Sequence, residues 1–416
     1  MTSTLNGART HRLSNGLTLV GEPLPQRRVA AWSLLLPCGS ATEPQGRDGL
    51  TKVLEGVSYR GAGSRNAREL SDALDDLGVD RGGGAETESV SYGGATLADY
   101  LPDALKLYAD IVLRPQLPEG EWEAQRDLAL QSLKTLEDNP SRKMFVTLRR
   151  TYFPNALGRV PSGTRAGLEA LTLDDLRADH ARRFLPQGGV LGVAGRFDWD
   201  ELVAQIEALL GAWEGEALPI GEAQPLPGAH YQHIAQETAQ VHIGIAYQGV
   251  PITDPRHYAF RLANAVLSGG MGARLFTEVR EKRGLVYSVS AQAQSTRQCG
   301  FTLSYAGTTP QRAQETLDVL LGELARMSEG VSEAELERAR TGMVSSLEMQ
   351  EDSSRARAAS IARDQFVLGR VRPVEEIAAG IEAVTPSDIR AYYEAHPARE
   401  FTITTLGPEP LTVPTF

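Results

Sequence analysis

The sequence is poor in the residues that usually build disulfide scaffolds or nucleic-acid surfaces. Its 416 residues include two cysteines, Cys38 and Cys299, too few for a disulfide framework or a cysteine-based zinc cluster. We expect both to be buried or idle thiols. Acidic residues outnumber basic residues 53 to 42, which gives a formal net charge of −11. This balance argues against a protein that binds nucleic-acid phosphates.

Long hydrophobic runs are missing as well. The most apolar stretch near the start, residues 29–37, is too short to cross a bilayer. The first twelve residues have no apolar core of the signal-peptide type. We therefore expect a cytoplasmic protein that has no membrane segment.

The chain repeats itself. Residues 117–138 match residues 331–352 at an offset of 214, and residues 168–178 match residues 381–391 at an offset of 213. Each copy of the second segment is followed by an apolar, strand-like run that ends in glycine. The period is far too long for a solenoid, so the repeat predicts two homologous domains.

The boundary between these domains follows from composition. Residues 214–228 are rich in glycine, proline and glutamate and have no helical or strand periodicity, which is typical of a linker. The predicted domains are therefore residues 1–213 and 229–416.

Within each half, helical and strand patterns are mixed. Apolar residues at helical spacing predict a helix from Leu50, and residues 121–136 predict a long amphipathic helix. Strands are predicted at 240–247, 89–97 and 301–305. Elements in this irregular order favour an α+β fold with a largely antiparallel sheet in each domain.

The most informative stretch lies on the first of these helices. Lys52, Glu55 and Gly56 occupy positions i, i+3 and i+4, which is the spacing of H-x-x-E-H, where two histidines bind Zn²⁺ and the glutamate activates a water. Lysine and glycine replace both histidines here. We expect Lys52 and Glu55 to form an ion pair worth a few tenths of a kcal/mol. Gly56 costs the helix about 1 kcal/mol relative to alanine.

Together with this spacing, an ordered set of segments resembles the insulinase/pitrilysin-like metallopeptidases, the inverzincins, which include the mitochondrial processing peptidase. The resemblance covers nearly the whole chain, and that family also has two homologous halves. The segments that carry the resemblance are residues 13–17, 39–43, 49–61, 137–140, 158–164, 269–276 and 279–287.

The resemblance also places the remaining zinc-site residues. It puts the third ligand, a glutamate in the family, at Ser132, and an auxiliary glutamate at Gln125. A catalytic zinc needs about three nitrogen, sulfur or carboxylate ligands, whereas Lys52 offers an ammonium, Gly56 no side chain and Ser132 a neutral hydroxyl. Glu55 is then a remnant with no metal-bound water to activate. We expect no zinc and no catalytic residue in the isolated chain.

In the second half, Arg280 and Tyr287 are seven residues apart. In the family, an arginine and a tyrosine with this spacing face the zinc site, bind the substrate backbone and stabilise the developing oxyanion. A guanidinium and a phenol can both donate hydrogen bonds to a carbonyl oxygen that gains charge. The alternative is a surface ion pair for the arginine and a half-buried tyrosine.

Two further stretches have two interpretations each. The resemblance places Gly82 and Gly83 on a strand that lines the site, where the family has Asn-Ala, but a flexible loop tip is at least as good an interpretation. His230, His233 and His242 could hold a metal, but their spacing matches no metal motif. Strand or solvated histidines are the favoured interpretation.

One half of a peptidase site is therefore lost and the other half kept. In short members of the family, the active enzyme can be a heterodimer in which one subunit carries the metal motif and the other the Arg/Tyr pair. The resemblance implies that this chain is the non-catalytic subunit, that its partner is an H-x-x-E-H-bearing homologue holding the zinc, and that a peptide substrate lies in an enclosed chamber, paired to a sheet edge. A homodimer is possible in isolation. The alternatives are an inactive scaffold or interaction protein and an active metallopeptidase that uses an unrecognised site.

Overall fold

The structure is a computed structural model that describes residues 3–5, 7–216, 218–219, 224–226 and 228–413. The predicted linker, residues 214–228, lies partly outside these ranges, as do the first two residues of the chain. None of the helices within them combines the length and the apolarity that crossing a bilayer requires.

Strands and helices are mixed along both halves of the chain. The strands are β1 (Ser3–Leu5), β2 (Ala8–Arg12), β3 (Thr18–Pro23), β4 (Val29–Leu36), β5 (Gly61–Ala62), β6 (Arg65–Asn66), β7 (Asp80–Ala85), β8 (Val90–Leu97), β9 (Val190–Gly195), β10 (His230–Ala235), β11 (Val241–Gly249), β12 (Val286–Ser295), β13 (Gly300–Thr308) and β14 (Thr402–Gly407). The α-helices are α1 (Leu50–Ser58), α2 (Ala67–Asp76), α3 (Leu101–Leu113), α4 (Glu119–Glu137), α5 (Pro140–Tyr152), α6 (Arg165–Glu169), α7 (Leu173–Arg183), α8 (Trp199–Leu210), α9 (His257–Ser268), α10 (Ala313–Arg326), α11 (Glu333–Glu351), α12 (Ser354–Leu368), α13 (Val374–Glu382) and α14 (Pro386–Ala395).

Each half contributes one large sheet. The first sheet has seven strands in the order β1-β2-β3-β9-β4-β8-β7, and the second has five strands in the order β10-β14-β11-β13-β12. Within them, β3 pairs with β9 and β10 pairs with β14 in parallel, and the other neighbours are antiparallel. These sheets confirm the predicted α+β fold with largely antiparallel sheets. The strands β7 and β12 each end a sheet.

The sequence repeat corresponds to a repeat of structure. Helices α4 and α11 begin and end at positions 214 residues apart, as the matched segments predict. Helices α7 and α14 both begin with a capping box, formed by Thr172 with Asp175 and by Thr385 with Asp388, at an offset of 213. The two halves therefore share these helices, and α7 and α14 share the chemistry of their helix starts.

Contacts group the chain into two compact units. The first unit comprises Met1–Thr135, Arg159–Gly221 and Met349–Pro373, and the second comprises Leu136–Gly158, Glu222–Glu348 and Val374–Phe416. Each unit thus includes a helix that belongs by sequence to the other half, α12 in the first and α5 in the second. The domain boundaries derived from the repeat, 1–213 and 229–416, stay a prediction, because a repeat groups residues by ancestry and compactness groups them by contact.

Both of these helices lie against a glycine of the sheet they cover. Helix α12 packs on β3, β4 and β9, where a Cβ on Gly192 would be 2.5 Å from the carbonyl oxygen of Ala358 and 2.8 Å from the Cβ of Ala362. Helix α5 packs on β11 and β14, where a Cβ on Gly244 would overlap the Sδ of Met144. A side chain at either glycine would force the helix away from its sheet, because packed interiors hold no spare volume.

The start of α1 is fixed by buried charges. The carboxylate of Glu43 accepts hydrogen bonds from the amides of Gly49, at 2.9 Å, and Thr51, at 2.8 Å, which satisfies two of the free N–H groups at the helix start. Arg183, buried in an ion pair with Asp179, donates to the Thr51 hydroxyl at 2.9 Å. Burial raises the pKa of Glu43 to about 7, although its hydrogen bonds and the charge of Arg183 oppose the shift.

We predict that Glu43→Gln flattens the dependence of stability on pH. The pKa of Glu43 is raised in the folded chain from 4.5 to about 7, so this carboxyl contributes stability that is complete below about 4.5 and is lost as the pH rises through about 7. Urea unfolding across this pH range measures the slope of the free energy of unfolding. The matched control is Glu69→Gln at the exposed start of α2. Equal slopes in Glu43→Gln and the wild type would contradict the prediction.

Candidate functional site

Helix α1 turns an apolar face to the core and presents the motif residues on its other face. The predicted face is buried and consists of Leu50, Val53, Leu54 and Val57. Lys52 is exposed, whereas Glu55 and Gly56 are half-buried. Burial raises the pKa of Glu55, and the positive charge of Lys52 partly opposes that shift.

The predicted ion pair between Lys52 and Glu55 is wrong. The ion pairs of the described residues, taken to an N···O distance of 4.0 Å, do not include these two side chains. The physical reason is a difference in surroundings. Lys52 keeps its ammonium in water, whereas Glu55 faces a cleft beside the helix.

That cleft has a volume of about 360 Å³ and lies within the first unit. Its walls come from α1 and the residues just after it, from α2, from the terminal strand β7 and from α4. The lining residues that matter for its chemistry are Glu55, Gly56, Arg60, Arg81, Gly82 and Gln125.

The space beside Gly56 is filled by Gln125. A Cβ on Gly56 would lie 2.7 Å from the terminal amide of Gln125, so a larger residue at this position requires Gln125 to move. In the orientation that satisfies its hydrogen bonds, the Gln125 amide oxygen accepts from both Nε and Nη2 of Arg60 at 2.9 Å. The position that the resemblance assigns to one zinc-binding histidine is thus occupied by a glycine next to Gln125, whose amide oxygen accepts from Arg60.

The residues present do not fit a catalytic zinc. Lys52 and Ser132 are exposed and do not line the cleft, and the Ser132 hydroxyl donates to the carbonyl of Leu128 within α4 at 2.9 Å. Of the three ligand positions, the cleft thus contains only Gly56, which has no donor. Throughout the part of the chain that the structure describes, no group of three or more His, Cys, Asp or Glu side chains is placed to hold a metal ion.

The other candidate segments are ordered elements of the fold. Gly82 and Gly83 belong to β7, which pairs with β8, so the flexible-loop interpretation is wrong and the strand interpretation is confirmed. His233 and His242 lie on β10 and β11, where Nδ1 of each is 2.9 Å from the hydroxyl oxygens of Thr405 and Tyr305, respectively. Burial lowers the pKa of both histidines.

The two cysteines are buried thiols outside any disulfide bond, and their burial agrees with the prediction. Burial raises the pKa of Cys38 to about 12, although the nearby charge of Arg183 opposes the shift. A thiol with so high a pKa carries almost no thiolate at neutral pH. Cys38 is therefore no candidate nucleophile.

In the second unit, Arg280 lies on a π-helix that spans Phe276–Glu281. Its Cζ is 4.9 Å from the centre of the Phe276 ring and 5.8 Å from the centre of the Tyr287 ring. Both distances are within the range of cation–π attraction. Among the described residues, no carboxylate forms an ion pair with Arg280; the nearby Glu278 pairs with Lys282 and Arg283 instead.

Tyr287 lies at an irregularity of the terminal strand β12. Val286 pairs with Thr308 and Ser288 pairs with Gly307, so Tyr287 is the extra residue of a β-bulge. Bulges redirect side chains and are common next to active sites. The side chain is 80% exposed, so the half-buried tyrosine of the alternative interpretation is wrong, as is an ion pair for its neighbour Arg280.

Sequence reasoning missed several of these features. The π-helix is closed by the amide of Lys282, which donates to the carbonyl of Thr277 at 3.0 Å, and no residue pattern announces such a turn. The contacts of Arg60 with Gln125 and of Arg280 with Phe276 were also missed. The contact of Arg280 with Phe276 could have been predicted from the sequence, because an aromatic ring and an arginine four residues apart meet on one helix face.

Comparisons with known proteins identify the family of the chain. A sequence model described as Insulinase (Peptidase family M16) matches residues 19–164, and one described as Peptidase M16 inactive domain matches residues 170–343. An uncharacterized zinc protease of Streptomyces coelicolor is 30% identical over 412 residues, which cover 96% of this chain and 89% of that protein.

The chain belongs to the M16 (insulinase) peptidase family.

Further relatives and solved structures match nearly the whole length of this chain. The uncharacterized zinc protease YmxG of Bacillus subtilis is 26% identical over 378 residues, covering 90% of this chain and 92% of that protein. A crystal structure titled peptidase M16 inactive domain, from Pseudomonas fluorescens, has a TM-score of 0.89 at 22% identity and covers 99% of this chain and 100% of its own. A protease from Helicobacter pylori has a TM-score of 0.88 at 18% identity, with coverage of 97% and 100%. These structures show that the fold is that of M16 proteins.

We predict that contact with Gln125 offsets the stability that helix α1 would gain from an alanine at position 56. Replacing a glycine inside a helix by alanine stabilises it by about 1 kcal/mol, but Gly56→Ala alone should gain little because its new Cβ displaces the Gln125 amide. In a Gln125→Ala background, Gly56→Ala should recover the full gain. Chemical denaturation of the four variants of this double-mutant cycle measures the coupling.

The matched control is Gly322→Ala on α10, where a Cβ would meet no atom within 4 Å. It should stabilise the chain by about 1 kcal/mol in either background. If Gly56→Ala has the same effect with and without Gln125, the two residues are not coupled and the prediction fails.

Proposed function

We propose that this M16 chain is the non-catalytic, Arg/Tyr-bearing subunit of a heterodimeric zinc metallopeptidase, located in the cytoplasm. Its partner is a homologue that carries H-x-x-E-H and holds the zinc, and the substrate is a peptide. The observation that carries the proposal is the state of Arg280, which is exposed and oriented by two rings and forms no ion pair with a carboxylate among the described residues.

The geometry at Arg280 supports substrate binding because the guanidinium keeps its charge. An arginine paired with a carboxylate is largely neutralised, whereas an arginine stacked on rings retains its N–H groups for a carbonyl oxygen. Tyr287 adds a phenol, and the centre of its ring lies 5.8 Å from the Cζ of Arg280. Both groups can donate to an oxygen that gains negative charge when the peptide bond is attacked.

The other half of the proposal rests on the first unit. Lys52, Gly56 and Ser132 supply neither an imidazole nor a carboxylate, so Glu55 has no metal-activated water. The active site of the complex then needs the metal and the base from the partner and the Arg/Tyr pair from this chain.

Two alternatives make different predictions for the same experiment. A scaffold protein that kept the fold without the chemistry would not need Arg280 or Tyr287. An active metallopeptidase with another site would cleave peptides alone, and a chelator would stop it. Metal analysis of the purified chain, together with assays of the chain alone and mixed with the partner, separates these cases.

We predict that Arg280→Ala lowers the peptidase activity of the reconstituted complex by about a hundredfold, the usual effect of removing one donor to a developing oxyanion. Peptide cleavage is measured after mixing the chain with an H-x-x-E-H-bearing homologue from the same organism. Arg283→Ala is the matched control, because Arg283 is on the same segment but pairs with Glu278 at 3.0 Å. Wild-type rates for Arg280→Ala would defeat the proposed role, and peptide cleavage by the chain without its partner would defeat inactivity.

We predict that Phe276 positions Arg280. Phe276→Leu removes the ring at 4.9 Å and should lower kcat of the complex by about tenfold, less than Arg280→Ala. Phe276→Tyr keeps a ring and should restore the rate. If both substitutions at Phe276 have equal effects, the ring does not orient the guanidinium.

A further inference from the structure

We propose that Thr308 and Arg312 are positioning residues, which hold the turn between Arg280 and Tyr287 and so set the place of the Tyr287 ring beside the guanidinium. Their purpose rests on the proposed function, in which this pair donates hydrogen bonds to the peptide substrate. Both residues act through the backbone of the turn and lie outside the Arg/Tyr pair itself.

The Tyr287 side chain has little packing of its own to fix its direction. It is 80% exposed, and the Cζ of Arg280 lies 5.8 Å from the centre of its ring. The bulge takes Tyr287 out of the residue-by-residue pairing between β12 and β13. The direction of the ring therefore depends on the backbone that leads into β12.

That backbone is a tight turn built on Gly284. Its φ of 60° lies in the left-handed region, which glycine enters without the penalty of a Cβ. A Cβ at this position would meet no atom within 4 Å, so the backbone conformation, and not a lack of space, requires the glycine. The amide of Gly284 donates to the carbonyl of Arg280 at 3.0 Å, and the amide of Leu285 donates to the carbonyl of Val279 at 3.1 Å. The amides thus tie the turn to the segment of Arg280.

The two carbonyl groups of the same turn accept from side chains of another segment. The guanidinium of Arg312 donates to the carbonyl of Gly284, and the hydroxyl of Thr308 donates to the carbonyl of Leu285 at 2.6 Å. All four backbone polar groups of Gly284 and Leu285 are therefore satisfied. Since the amides hold one side of the turn and the carbonyls the other, the backbone that carries Tyr287 is fixed relative to Arg280 only when both sets of bonds are present.

The residues that bind these carbonyls are themselves connected. Thr308 ends β13 and Thr316 lies near the start of α10, and both are buried. The hydroxyl of Thr316 can donate to the carbonyl of Arg312, at 2.8 Å, or to the hydroxyl of Thr308, at 3.2 Å. The bond from Arg312 to the turn has a charged donor, which makes it about twice as strong as a neutral one. The start of α10 thus offers a firm support for the turn.

Such support matters for chemistry because oxyanion donors act only in a narrow range of positions. A donor stabilises a developing oxyanion when it lies about 2.7 to 3.1 Å from that oxygen, and a displacement of about 1 Å can cost a hundredfold in rate. A residue that moves the Tyr287 ring can therefore control the rate without contacting the substrate.

The first measurement uses the full-length chain alone. In fluorine NMR of the chain labelled with fluorotyrosine, Tyr287→Phe identifies the resonance of position 287. Arg280→Gln should move this resonance, because the guanidinium lies near the ring. Arg312→Gln should also move it, and Arg312→Lys should restore it, since one charged donor suffices for one carbonyl. The matched control is Arg326→Gln, which removes the same charge at the last residue of α10, where Arg326 pairs with Glu323 at 3.1 Å.

Thr308→Val is a second, independent variant. It keeps the shape of the side chain but removes the hydroxyl that donates to Leu285, so it should move the resonance of Tyr287 as well. Thr308→Ser keeps the hydroxyl and should restore the resonance. Thermal melting and the resonances of the other tyrosines show whether each variant is folded, and if Thr308→Val unfolds, Arg312→Gln alone decides.

The second measurement uses the complex with the H-x-x-E-H-bearing homologue. Arg312→Gln should lower kcat for peptide cleavage by about tenfold and leave KM within about twofold, because the oxyanion exists only in the transition state. Arg312→Lys should recover the rate, and Arg326→Gln should not change it.

The two measurements distinguish failure of the positioning role from failure of the proposed function. If Arg312→Gln moves the Tyr287 resonance but Arg280→Ala leaves the complex at wild-type rates, the proposed function fails and the positioning of the ring stands. The positioning role is overturned if Arg312→Gln or a folded Thr308→Val leaves the resonance in place. It is also overturned if Arg312→Gln keeps the wild-type rate in a complex that Arg280→Ala inactivates.

Discussion

The contact between α12 and the first sheet is the constraint on which the geometry of the first unit depends. At Gly192 the backbone of Ala358 comes so close that a Cβ would lie 2.5 Å from its carbonyl oxygen. This approach brings the first turn of α12 to the sheet, where Arg357 forms an ion pair with Glu22 at 2.7 Å and Arg355 reaches β7. A larger residue at Gly192 would move the helix and with it the cation that covers the start of the terminal strand.

The surroundings of Glu55 and Gly56 include an ordered pair of polar side chains, Gln125 and Arg60. Where a histidine side chain would lie, the Gln125 amide fills the space beside Gly56 and is itself held by Arg60. A zinc site recruits neutral or anionic donors from the protein, whereas Arg60 brings N–H groups, which donate to oxygen atoms and cannot bind a metal ion.

The sequence predicts the fold well because the repeat and the local patterns depend on neighbours along the chain. The ends of α4 and α11, and the capping boxes at Thr172 and Thr385, follow from residues a few positions apart. The expected Lys52–Glu55 pair failed because burial acts on one partner and water on the other, which helical spacing does not report. Gly82 is compatible with a loop on composition alone, and its pairing with β8 is a tertiary contact. The contact between Arg355 and β7 joins residues that are more than half of the chain apart in sequence, so no local pattern could predict it.

Each of the two units orients one arginine near a terminal strand, and they do so with different residues. Each has a terminal strand, β7 or β12, with an arginine near it that is in contact with uncharged side chains. In the second unit aromatic rings orient Arg280, and in the first a neutral amide orients Arg60. A carboxylate would fix either guanidinium more strongly but would also neutralise it. Rings and amides fix the direction of a guanidinium and leave its charge in place, which distinguishes Arg280 from a structural arginine such as Arg183, which is buried against Asp179.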